Sequence, residues 1–101
     1  MPQSYDNVVF EFFHASEPLS ISRGKVIVRE GEMVLDVEYT ADSHYDIRGK
    51  SAGQFYEGRH MERKGDVSVH AKWILLDDTY LGIWAEGQQE YLFRFTLRDA
   101  D

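Results

Sequence analysis

With 101 residues, 43% apolar and 14% aromatic, the chain can fill one hydrophobic core and leaves little room for a second domain, so residues 1–101 are expected to form a single domain. Eighteen Asp and Glu against eleven Lys and Arg give a formal charge of −7 with the signs interspersed. That pattern argues against nucleic-acid binding, which needs clustered cations, and leaves an acidic inhibitor or nucleic-acid mimic, which needs a dense acidic array, as a remote alternative. Absence of Cys excludes disulfides and thiolate chemistry and fits a reducing compartment, so a cytoplasmic address is expected. No stretch approaches the ~20 apolar residues of a membrane-spanning helix, and Met1 to Asp6 shows no basic-then-apolar pattern of a secretory signal. No membrane association is expected.

Apolar residues recur with period two through segments rich in Val, Ile, Tyr, Phe and Trp, the pattern of half-buried strands. Eight strands are predicted, near 5–13, 24–29, 32–40, 44–49, 54–63, 66–76, 80–86 and 90–98, most of them separated by turn residues. The first carries Val8, Val9, Phe10, Phe12 and Phe13 on both of its faces. His14 to Ser22 reads as the one longer connection, with Pro18 flanking a short helical turn.

Strands two and three offer a test of register. A Glu30-Gly31 turn sets Arg29 opposite Glu32, Lys25 opposite Asp36, Arg23 opposite Glu38 and Ile27 opposite Val34. Three opposite-charge pairs then share one face, and Val26, Val28, Met33, Leu35 and Val37 the other, so charge and alternation choose the same pairing. For strands five and six, a Lys64-Gly65 turn places Arg63 opposite Asp66 and Glu57 opposite Lys72, with Tyr56, Gly58 and His60 facing Trp73, Ala71 and Val69 on the inside.

The last three strands are less constrained. A three-residue loop at Asp77-Asp78-Thr79 turns Leu81, Ile83 and Ala85 inward, and a similar loop at Gly87-Gln88-Gln89 adds Tyr91, Phe93, Phe95 and Leu97. A two-residue Asp77-Asp78 loop instead aligns Trp73 with Gly82 and turns Trp84 inward. Eight short antiparallel strands in an up-and-down meander are expected to close into a small β-barrel, which removes both sheet edges. A two-sheet β-sandwich is the alternative.

Two surfaces stand out as candidate sites. On the inside, Tyr39, Tyr45, Tyr56, His60, Trp73 and Tyr91, with Phe93, could line a pocket for a small, mostly apolar ligand. The competing reading is a filled core, since eight-stranded barrels are just wide enough for their own side chains. On the outside, the first register given for the last strands exposes Phe55, Ile74, Trp84 and Leu92 as an apolar strip, the mark of a protein partner or of self-association into a homo-oligomer.

Catalytic and metal signals are thin. Asp42, His44 and Asp46 share a face in an extended segment, but no H-x-H or H-x₃-H pair accompanies them, and no metal or other cofactor is expected. His60 and Glu62 are the only acid–base pair worth inspecting, and no G-x-S-x-G elbow or P-loop is present. The expected function is therefore a non-catalytic binding or protein-interaction module acting through the outer strip. A small-molecule-binding barrel is the alternative.

Overall fold

The structure is a computed structural model and describes residues 3–40, 43–60 and 68–99. Eight antiparallel strands follow one another as β1 (Gln3–His14), β2 (Glu17–Arg29), β3 (Glu32–Thr40), β4 (Ser43–Ala52), β5 (Phe55–His60), β6 (Val69–Leu76), β7 (Thr79–Glu86) and β8 (Gln89–Thr96). Each pairs with its sequence neighbour, and β1 returns to β8 with Phe10 opposite Phe95 and Phe13 opposite Leu92. The meander is thus a closed barrel, and the sandwich is excluded because no edge is left to separate two sheets.

The double loading of β1 has a local cause. Tyr5 pairs with Val26 and Val8 with Gly24, so Asp6 and Asn7 together span one residue of β2 as a β-bulge. The bulge shifts the inward positions from odd to even, which buries Val8, Phe10 and Phe12 and leaves Phe13 outside, 36% exposed. Asp99 accepts a hydrogen bond from the Asn7 backbone N–H at 3.0 Å and thereby fixes the irregularity.

His14 to Ser22 is not the long connection expected from Pro18. His14 pairs with Glu17 around a two-residue Ala15-Ser16 turn, and β2 continues through Pro18. A second register shift places Pro18 and Leu19 together opposite Phe13, and at such a bulge the missing proline N–H costs no ladder bond.

The β2–β3 register is the one that the charges select: Arg23 faces Glu38, Lys25 faces Asp36 and Arg29 faces Glu32. Arg29 reaches Glu32 at 3.3 Å, while Asp36 engages His44 of β4 at 3.1 Å and Arg23 donates to Asn7 at 3.1 Å. The β5–β6 register also agrees, with Tyr56 facing Trp73, Glu57 facing Lys72 and Gly58 facing Ala71. The Lys64-Gly65 turn and the Arg63–Asp66 pair lie outside the described residues.

Strand β7 departs from the expected register by one residue. Leu76 pairs with Thr79 and Glu86 with Gln89, so both loops have two residues, Asp77-Asp78 and Gly87-Gln88. Asp77 and Gly87 each take a φ of 59°, which supplies the reversal that a two-residue hairpin loop requires. Trp73 therefore faces Gly82 and Ala71 faces Trp84, while Ile83 points out and is 50% exposed. The two one-residue slips cancel at β8, where Phe93 and Phe95 are buried as expected.

The interior is a connected aromatic assembly. Phe10, Phe95, Phe93 and Phe12 follow one another with ring centroids 5.0–6.0 Å apart, and Phe93 also meets Trp73 at 6.2 Å and Trp84 at 5.6 Å. Both indoles are almost wholly buried with their N–H groups satisfied, Trp73 donating to the Met33 thioether at 3.2 Å and Trp84 to Glu86 at 3.1 Å.

Candidate functional site

The residues expected to line one pocket separate toward the two ends of the barrel. Toward the end that carries the Glu30-Gly31 and Asp77-Asp78 turns, Tyr56 stacks on Trp73 at 5.9 Å and Tyr80 stacks on Phe95 at 5.2 Å. Among the described residues these stacked rings occupy the inside of that end. Burial, with smaller contributions from Tyr56 and Tyr5, pushes the Tyr80 hydroxyl pKa up.

The opposite end, which carries the Ala15-Ser16 and Gly87-Gln88 turns, keeps a small cavity of about 100 Å³. Its aromatic walls are Phe12, Tyr45, Trp84 and Tyr91. Trp84 meets Phe12 at 5.1 Å and 78°, and Tyr45 at 5.8 Å and 70°. Phe12 meets Tyr91 at 6.4 Å and 87°. Rings crossing near right angles make the corner of a box, whereas parallel rings would close it.

Strand geometry places the polar groups beside those rings. Ser20 and Ser22 follow the inward alternation of β2, and Val37 of β3 completes the apolar lining. The bulge at Pro18–Leu19 brings Glu17 onto the lining, and Glu86, two residues from Trp84 on β7, lies on the same side and accepts the indole N–H. The neighbouring His60 is buried; its Nδ1 accepts from the Asp46 backbone N–H at 3.0 Å, and its ring meets Tyr45 edge-on at 5.1 Å.

Of the six inner residues expected at a pocket, Tyr45 and Tyr91 line this cavity and His60 stands behind Tyr45, whereas Tyr56 and Trp73 belong to the end with the stacked rings. The side chain of Tyr39 lies outside what the structure describes, as do Asp42 and Glu62. Phe12, Glu17, Trp84 and Glu86 were not foreseen as site residues of this kind. An inward Trp followed two residues later by Glu was the available signal.

The expected outer strip loses its centre, because Trp84 is only 2% exposed and points inward. Phe55, Ile74 and Leu92 remain on the outer face, and Leu81 and Ile83 take the place assigned to Trp84. Phe55, Ile74, Leu81 and Ile83 border a shallow groove that includes Lys72, whose Nζ sits 4.1 Å over the Phe55 ring. A wider polar groove follows the β8–β1 seam, where Arg94 grips Glu11 through two hydrogen bonds of 2.8 and 3.1 Å. Its central charges are thus already matched to each other.

On the outer face of β3 and β4, His44 turns to Asp36, and among the described residues no group of three or more His, Asp or Glu could hold a metal ion. No helix among the described residues is long and apolar enough to cross a membrane. Comparison of the chain with family models, with curated proteins and with solved structures finds no significant match.

Proposed function

We propose that this chain is a non-catalytic ligand-binding barrel whose site is the cavity walled by Phe12, Tyr45, Trp84 and Tyr91. One observation carries the reading: polar side chains converge over the aromatic walls of a cavity at one end of the barrel. The cavity corresponds to about three water volumes, so the group that it encloses is small. The cysteine-free composition supports a reducing compartment such as the cytoplasm.

The two tryptophans provide the test. Their indole N–H groups have different partners, Glu86 beside the cavity and Met33 in the core, so they give distinct signals in an amide-type ¹H–¹⁵N spectrum. In a screen of small fragments, ligands should move the Trp84 signal and leave that of Trp73 nearly in place. If every fragment that binds acts elsewhere, the cavity is only a packing gap.

A second reading is favoured by the exterior. Ile74, Ile83 and Leu92 are 40–58% exposed on the consecutive strands β6, β7 and β8. A closed barrel offers no strand edge, so such a face can associate only through side chains, and a second copy of the chain is the proposed partner. Light scattering over a dilution series should show a dimer that Ile83→Lys dissociates, with association strengthened by salt as the net charge of −7 is screened. A strict monomer at every concentration removes this reading.

A further inference from the structure

We infer that the group held in the cavity is an organic cation, an ammonium bearing methyl or other short alkyl substituents. The inference rests on the ligand-binding reading above and assigns the ligand's charge and shape.

Charge is the first argument. Glu17 and Glu86 are the charged side chains among the described lining residues, and no Lys or Arg is among them. A carboxylate can accept about four hydrogen bonds, so the single bond from Trp84 leaves Glu86 with acceptor capacity for a ligand. An anion would meet two like charges here. A wholly neutral apolar ligand would take water from both carboxylates and give nothing in return.

The walls are the second. A cation is attracted to the face of an aromatic ring when it lies within about 6 Å of the centroid, and Trp is the strongest of these partners. Phe12, Tyr45, Trp84 and Tyr91 all line the cavity, and the pairs Phe12–Trp84, Phe12–Tyr91 and Tyr45–Trp84 cross at 70–87° with centroids 5.1–6.4 Å apart, so the lining presents rings in several planes. Methylated ammonium suits such walls, because its charge is spread over methyl groups that shed water more readily than a bare N–H donor. Ser20 and Ser22 supply hydroxyls for a ligand that keeps an N–H or O–H group.

Size and field agree. About 100 Å³ is room for a four- or five-atom head. The negative field of the whole chain raises the local concentration of cations near an acidic mouth.

The test compares choline with 3,3-dimethyl-1-butanol, which has the same shape with carbon in place of the charged nitrogen. Both are titrated against the intact chain while the Trp84 indole N–H signal is followed. Choline should bind about tenfold more tightly than the neutral alcohol. Glu86→Gln keeps an oxygen to accept the Trp84 bond and should remove most of that preference without unfolding the barrel, while Glu17→Gln supplies an independent second variant. Equal binding of the two probes, or tighter binding of the alcohol, overturns the cation assignment and leaves the site standing. No response to choline at tens of millimolar also overturns it, and the fragment screen then decides separately whether the cavity binds anything.

Discussion

Trp84 of β7 stands directly opposite Ala71 of β6, and the large ring and the small side chain together close the interior beneath Glu86. Phe12, Tyr45 and Phe93 contact the Trp84 ring from three other strands. Trp84→Ala should therefore destabilise the fold by about 3–5 kcal/mol through the cavity that it leaves. Trp84→Phe should lose less, since it keeps most of the packing and gives up the indole hydrogen bond. Urea unfolding measures both. A Trp84→Ala protein as stable as the parent would mean that the β6–β7 register is wrong.

Where the sequence constrains a register from two sides, the register was legible. In β2–β3 the charge pairs and the apolar alternation demand the same pairing, and a one-residue slip would violate both. Strand β7 has no such agreement, because Leu81 and Ile83 on one face compete with Tyr80 and Trp84 on the other. Asp77-Asp78 also lacks the glycine that usually marks a two-residue loop, so nothing local selected it. The bulges at Asp6-Asn7 and Pro18–Leu19 change which face a side chain occupies, and strict alternation counted through them puts residues on the wrong side. For that reason Tyr45, His60 and Tyr91 could be placed inside from alternation, while Glu17 depends on a bulge and Trp84 on a choice between two loop lengths, of which the shorter turns it inward.

Gly82 lies where Trp73 and Phe93 come closest to the backbone of β7. A Cβ at this position would overlap the Lys72 backbone carbonyl oxygen and stand 2.7 Å from the Trp73 Cβ and 2.8 Å from the Phe93 ring, contacts that packed atoms do not tolerate. On β4, a Cβ at Gly49 would overlap Cη2 of the Trp73 indole. Gly82→Ala and Gly49→Ala should each destabilise by about 1–3 kcal/mol or more, because the added Cβ collides with the Lys72 carbonyl oxygen at one position and with the buried Trp73 ring at the other. Thermal unfolding of both variants checks this; a neutral result at Gly82 would contradict the β6–β7 pairing, and one at Gly49 would place Trp73 elsewhere.

Asp77 holds a left-handed backbone, φ 59°, in the loop that sets the register of β7. Aspartate tolerates this conformation better than most residues, and glycine better still. Asp77→Gly should change stability by less than about 1 kcal/mol, in the stabilising direction, since relief of backbone strain is partly offset by a more flexible unfolded chain. Asp77→Val should lose at least about 1 kcal/mol, because a β-branched side chain fits a positive φ poorly. Stability in the order Gly, Asp, Val supports the two-residue loop. Equal stability of Asp and Val contradicts it.

Two exterior carboxylates should respond to pH in opposite senses. The Arg94 hydrogen bonds hold the Glu11 carboxyl below its ordinary pKa, so its contribution is present above the unfolded carboxylate range and is lost as pH falls through the folded value. Asp36 is raised, first by burial and then by the facing Asp46, with His44 opposing, so its contribution is present in acid and is lost as pH rises through the folded value. Glu11→Gln should therefore be less stable than the parent at neutral pH, and the difference should close as the solution is acidified. Asp36→Asn should gain on the parent as pH rises from acid toward neutrality. Urea midpoints from pH 3 to pH 7 follow both, and parallel curves for the two variants would contradict the opposite environments of these side chains.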